Sequence, residues 1–123
     1  MNLVDSSGWL EYFADGKNAK FFAPAIEETD SLVVSTINLY EVYKKISLEK
    51  SEHLALQAIS LMQQAKVMSV NSTIALYAAK FSSEKKLPMA DSLIYATAAQ
   101  LNAVLWTQDI DFKVLENVKF IKK

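Results

Sequence analysis

Five short runs rich in β-branched or aromatic residues, each bounded by polar residues, punctuate this chain: Asn2–Val4, Ser31–Val34, Lys66–Met68, Val104–Trp106 and Val118–Ile121. Between them the apolar residues recur at helical spacing, which predicts helices over Ser7–Ala14, Asn18–Glu28, Asn38–Ser47, Glu52–Ala65, Ser72–Lys86 and Met89–Leu101. Strands separated by helices favour a mainly parallel sheet of about five strands flanked by helices, an α/β domain. Local punctuation agrees. Asp15-Gly16 is expected to end the first helix with glycine in the left-handed turn, Asn71 or Ser72 to cap the fifth, and Pro88 to open the last. Leu54, Ala58, Ile59, Leu61, Met62 and Ala65 predict a broad apolar face on the fourth. With 123 residues and no repeat, low-complexity tract or linker, the chain reads as one domain over 1–123. In parallel sheets of this kind the functional crevice lies beyond the carboxyl ends of the strands.

Composition then narrows the chemistry. There is no cysteine, one histidine (His53), two glycines and no arginine, all 13 cationic side chains being lysine. This excludes disulfides, thiolate or His-rich metal sites, and the glycine-rich loops that cradle phosphate in dinucleotide and nucleotide folds. Chemistry here must rest on carboxylates. No apolar stretch approaches the ~20 residues of a membrane span, and Asp5 precedes the first lysine, the reverse of a secretory signal. The expectation is a cytoplasmic protein with no membrane partner.

Five carboxylates stand out by position. Asp5 directly follows the first strand, where it reads equally as a helix N-cap and as a crevice residue. Asp109 and Asp111 follow the strand Val104–Trp106 on the same sheet edge, or simply cap a short helix over Phe112–Leu115. Asp91 shares a helical stripe with Ile94, Tyr95, Ala98 and Leu101. A lone charge on that stripe would be costly, so it calls for a cation or a tight hydrogen-bond partner. Glu41 is better explained by pattern as part of a capping box, with Asn38 as the cap and Glu41 reaching back to it.

Four blocks containing these residues resemble the PIN-domain ribonucleases, and in size and order the VapC-type toxins of toxin–antitoxin pairs. They are Asn2-Leu3-Val4-Asp5-Ser6-Ser7, Val34-Ser35-Thr36-Ile37-Asn38-Leu39-Tyr40-Glu41-Val42, Leu87-Pro88-Met89-Ala90-Asp91-Ser92-Leu93-Ile94 with the small residues that follow, and Leu105-Trp106-Thr107-Gln108-Asp109-Ile110-Asp111-Phe112. The resemblance implies that Asp5, Glu41, Asp91 and Asp109 form a catalytic and metal-binding quartet. Asp111 would be an auxiliary acid, and Ser6 and Thr107 hydroxyls that orient the aspartates or a metal-bound water. Oxygen-only ligands suit a hard cation, Mg2+ or Mn2+. The implied activity is hydrolysis of RNA to a 5′-phosphate and a 3′-hydroxyl, and the implied partners are a cognate antitoxin and a second copy of the chain.

RNA has to be held beside such a pocket, and Lys44, Lys45, Lys85 and Lys86 are the candidates. Setting the five acids aside leaves 13 lysines against nine other carboxylates, a balance better suited to RNA than the net charge of −1. Trp9, Tyr12, Phe13 and Tyr43 offer stacking surfaces, although their helical spacing favours ordinary packing. His53 reads as a surface residue, and without a second histidine, cleavage through the RNA 2′-oxygen is disfavoured. Two rival readings are a non-catalytic interaction module on the same fold and a housekeeping nuclease with no toxin role. A phosphoryl-accepting fold fits poorly, because Asp5 lacks a second aspartate two residues on.

Overall fold

A computed structural model describes residues 1–123. Five strands, β1 (Asn2–Val4), β2 (Leu32–Ser35), β3 (Lys66–Met68), β4 (Val104–Thr107) and β5 (Val118–Phe120), form one sheet in the order β3-β2-β1-β4-β5. Every pairing is parallel. The chain thus steps outward from β1 through β2 to β3 and then returns to the other side of β1 with β4 and β5. That reversal opens a crevice beyond the carboxyl ends of β1 and β4.

Six helices cover the sheet: α1 (Ser6–Phe13), α2 (Ala19–Glu27), α3 (Thr36–Glu49), α4 (Glu52–Met62), α5 (Ser72–Lys85) and α6 (Met89–Gln100). Alternation along the strands divides the core. Val4, Leu32 and Val34 pack with Trp9, Phe22, Ile26, Val42 and Met62 from α1 to α4. Leu3, Val33 and Leu105 face the other way, onto Ile94, Tyr95 and Ala98 of α6, and α5 lies outside α6 through Ile74 and Ala78. Both faces of the inner strands are therefore dry, and burying a leucine or valine there contributes ~1.5 to 3 kcal/mol. No helix is long and apolar enough to cross a membrane.

The expected elements are all present, with four local differences. The left-handed residue after α1 is Asp15 (φ 51°), not Gly16. A Cβ at 16 would crowd the flexible end of Glu11, whose carboxylate accepts from the Asn18 N–H (2.9 Å). α3 starts two residues before Asn38 and is capped by Ser35, whose hydroxyl accepts from the Ile37 N–H (3.1 Å). α4 ends at Met62, and of its expected apolar face Leu54 and Leu61 are exposed while Ala58 and Met62 are buried, joined by Ala55, which the expected face did not include. The short helix expected over Phe112–Leu115 is a 3-10 turn over Ile110–Phe112, because Asp109 caps it one turn earlier by accepting from the Asp111 N–H (2.9 Å). Asn71 does cap α5, accepting from the Ile74 N–H (2.9 Å). Pro88 takes the cap position of α6 itself.

Candidate functional site

Asp5 leaves the end of β1, where its backbone N–H still donates to the Trp106 carbonyl of β4 (3.1 Å). Its carboxylate both caps α1 and lines the cleft beyond the strand ends. Oδ1 caps α1 by accepting from the Gly8 N–H (3.1 Å) and the Ser7 hydroxyl (2.8 Å), while Oδ2 accepts from the Thr107 hydroxyl (3.0 Å). Gly8 permits this close approach: a Cβ there would lie 2.6 Å from Val4 Cγ1 and 2.7 Å from the Phe22 ring. Thr107 is fully buried, and its hydroxyl also accepts from the Asp109 N–H (2.9 Å), tying the loop after β4 to Asp5. Asn18 and Gln108 fasten the same loop to α1: Asn18 Nδ2 donates to Gln108 Oε1 (2.9 Å), and Gln108 Nε2 donates to the Ser7 carbonyl (3.3 Å).

Asp91 sits in the first turn of α6, half-buried, on the stripe whose members Ile94, Tyr95 and Ala98 reach the core. It has no hydrogen-bond donor and no ion pair. Its carboxylate, with those of Asp109 and Asp111, places one oxygen from each within 4.8 Å of the others. Asp91 and Asp109 also line a cleft of about 440 Å³ together with Asp5, Ser6 and Glu41 and with Tyr40, Lys44, Lys45 and Leu48 of α3.

Glu41 is not a cap. Because Ser35 starts α3, the residue that reaches back is Asn38, whose Oδ1 accepts from the Ser35 N–H (3.0 Å). This leaves Glu41 a turn further on, directed at the cleft, where its Oε1 accepts from the Ser6 hydroxyl (2.7 Å). Asn38 Nδ2 donates in turn to Ser6 Oγ (3.0 Å). The sequence reading gave Asn38 only a capping role. A polar residue three positions before Glu41, on the buried side of α3, is the signal that could have marked it.

Electrostatics mark these carboxylates as a group. Burial pushes the Asp5 carboxyl up to about 6, with the negative charge of Asp109 adding to the rise against three lowering hydrogen bonds. Asp91 is pushed up to about 7, first by desolvation and then by repulsion from Asp109, Glu41, Asp111 and Asp5. No lysine neutralises them, the one ion pair in the protein being Lys45 with Glu49 (2.8 Å) on the surface. A divalent cation would supply what is missing, and a set of oxygen donors without sulfur or imidazole fits a hard ion.

The lysines divide. Lys44 and Lys45 line the cleft, Lys44 with its Nζ 5.7 Å above the exposed Tyr40 ring. Lys85 and Lys86 do not. Lys85 lines a separate depression with Asn102, Ala103 and Asn117, before the starts of β4 and β5 and hence at the opposite edge of the sheet. Lys86 ends α5 in the left-handed conformation, exposed and outside the cleft. Trp9 is core, stacked on Phe13, and Tyr12 and Tyr43 are partly buried. His53 is exposed on α4 and beside Gln57. A cavity of about 680 Å³ forms a mainly apolar groove beside the cleft, between α1 and the α3–α4 pair, lined by Leu10, Phe13, Ile46, Leu54 and Leu61.

The family model of the PIN domain matches residues 3–118. No curated protein matches the sequence significantly. Among solved structures, a toxin–antitoxin complex from Klebsiella pneumoniae superposes with a TM-score of 0.82 at 22% identity, covering 97% of this chain and 96% of the other. VapC20 from Mycobacterium tuberculosis, a toxin that cleaves the sarcin–ricin loop, gives 0.81 at 16% identity over 96% and 97%. VapBC-1 from nontypeable Haemophilus influenzae gives 0.73 at 23% identity over 98% and 96%. At these identities the likeness is one of fold.

Proposed function

The chain belongs to the PIN-domain family, and from that premise we propose that it is a metal-dependent ribonuclease serving as the toxin of a toxin–antitoxin pair. One observation carries the reading: carboxylates from β1, α3, α6 and the loop after β4, distant in sequence, converge on one cleft without a cationic partner. Packing alone gives no reason to assemble such a cluster, because like charges at this range destabilise the fold.

Asp5, Glu41, Asp91 and Asp109 would hold Mg2+ or Mn2+, with Asp111 beside Asp91 and Asp109 as a further ligand. When bound, the ion would supply neutralising charge and Lewis-acid assistance to displacement at phosphorus. The protein's own groups do the positioning. Thr107, Ser7 and Gly8 fix both oxygens of Asp5, and Ser6 fixes Glu41, so these carboxylates need little reorganisation. Lys44 and Lys45 on α3 would meet the RNA backbone as it crosses the rim of the cleft.

The toxin assignment is supported by the fold shared with toxin–antitoxin structures and by the apolar groove next to the cleft, which suits a partner segment rich in apolar side chains. A homodimer would place apolar surface such as Leu76 and Tyr77 of α5 against a second copy, measurable by light scattering. The decisive experiment is cleavage of a generic RNA by the purified protein with Mg2+ or Mn2+, with and without chelator. Chelator-sensitive cleavage that is lost in Asp91→Asn is expected. Binding without cleavage would replace the reading with that of a non-catalytic interaction module.

A further inference from the structure

Asn38 lies fully buried behind Ser6, one of the residues that line the cleft, although it is neither an acid nor the cap of α3. Its amide is oriented by a group that has no choice. The Ser35 backbone N–H can only donate, and it donates to Asn38 Oδ1 (3.0 Å). The NH2 end is thereby turned toward Ser6, where it donates to Oγ (3.0 Å). A serine hydroxyl carries a single proton. With one lone pair engaged by Asn38, that proton is directed at Glu41 Oε1, forming the shortest bond of the series (2.7 Å).

The three bonds therefore run in one direction, from the backbone at the end of β2 to a carboxylate facing the cleft. Glu41 needs such a constraint. Its side chain has three rotatable bonds, it is half-exposed, and it repels Asp91 across the cleft, so a swing toward solvent is favoured by entropy and by charge. Ser6 alone would not hold it, because a free hydroxyl samples several rotamers and Asp5, its neighbour in the chain, is another acceptor nearby.

We infer that Asn38 is a positioning residue for the proposed phosphodiester hydrolysis, acting through the Ser6 hydroxyl to lock the Glu41 carboxylate in the cleft. The inference rests on the nuclease reading and adds to it a residue outside the acidic cluster. Asn38 has a structural task as well, the bond to Ser35 N–H, and the two must be separated by measurement.

A double-mutant cycle does so. Asn38→Leu removes the amide at similar volume, Ser6→Ala removes the hydroxyl and leaves the Asn38–Ser35 bond intact, and Asn38→Ser is a milder change should the leucine variant fail to fold. Steady-state kcat and KM on a short single-stranded RNA with Mg2+ are read together with Mn2+ affinity by calorimetry and the thermal midpoint. Ser6→Ala and Asn38→Leu are each expected to lower kcat about tenfold at nearly unchanged KM, the scale of one charge-assisted hydrogen bond, with the double variant no worse than either. Mn2+ affinity falls in the same non-additive way, whereas the thermal midpoint falls more in the Asn38 variants than in Ser6→Ala. A double variant whose loss is the product of the two single losses overturns the inference, as do single variants with wild-type kcat. Absence of cleavage by the wild type removes the nuclease reading itself and this inference with it, an outcome seen before any variant is compared.

Discussion

Replacing Asp5 by asparagine should make the metal-free protein more stable at neutral pH, although it removes a central residue of the cleft. The Asp5 carboxyl is 3% exposed, and its pKa rises from 3.8 to about 6. The sign follows from linkage: with a raised folded-state value, the native protein binds the proton more tightly than the unfolded chain. Ionisation therefore removes stability as pH rises through the interval between the two values. From those values the penalty is about 1 kcal/mol at pH 4.5 and about 3 kcal/mol at pH 7.5. Asparagine does not titrate and is nearly the same shape, so it escapes that penalty. Its NH2 must face one of the donors now aimed at Asp5, which costs about 1 kcal/mol at either pH. The difference in stability between variant and wild type should accordingly grow by about 2 kcal/mol in favour of the variant from pH 4.5 to pH 7.5. Urea unfolding with chelator present measures this, since comparison of the two proteins at each pH cancels the other titrating groups except Asp91. Asp91 shifts in the same direction, but it is half-exposed and screened, so its change between the two proteins is smaller. Adding Mg2+ should stabilise the wild type far more than the variant. A stability difference that stays constant with pH, or shrinks, would refute the argument that burial governs the Asp5 carboxyl.

Thr107→Val removes a buried hydroxyl that donates to Asp5 and accepts from the Asp109 N–H, so it should cost about 1 to 3 kcal/mol in denaturant unfolding and lower cleavage as well. Gly8→Ala places a methyl group 2.6 Å from Val4 Cγ1 and against the Phe22 ring; a loss of about 1 to 3 kcal/mol is expected, and a fully stable variant would contradict the close approach of α1 to β1. Lys44→Ala should raise the KM for RNA several-fold and weaken its salt dependence, while Lys85→Ala at the far sheet edge leaves both unchanged.

Sequence and structure agree most closely on the elements themselves, where the information is local. Five apolar runs and six periodic stretches are properties of neighbouring residues, and each element is found within a few residues of its expected place. Asp5 and Asp109 were legible as crevice residues because each follows a strand, and parallel strands bring such positions to one edge. Asp91 was legible because a charge interrupts an otherwise apolar stripe. Pattern alone placed Glu41 in a capping box and only the resemblance placed it with the other acids, since the start of α3 depends on Ser35 at the end of β2, whose pairing with β3 no local pattern contains. Lys85 and Lys86 precede Asp91 closely in sequence yet fall outside the cleft, because the turn at Lys86 reverses the chain between α5 and α6.

The sequence by itself determined the fold class and the chemical vocabulary. Alternating runs select a covered parallel sheet, and the absence of cysteine, arginine and a second histidine leaves carboxylates to do the chemistry. The resemblance named the acids and the Ser6 and Thr107 hydroxyls, and the tertiary structure decided which hydroxyl holds which carboxylate and which lysines stand at the rim. Those contacts join residues up to 102 positions apart, as Thr107 and Asp5 are. Their free energies depend on burial and on hydrogen-bond direction, both of which arise only when the chain has packed.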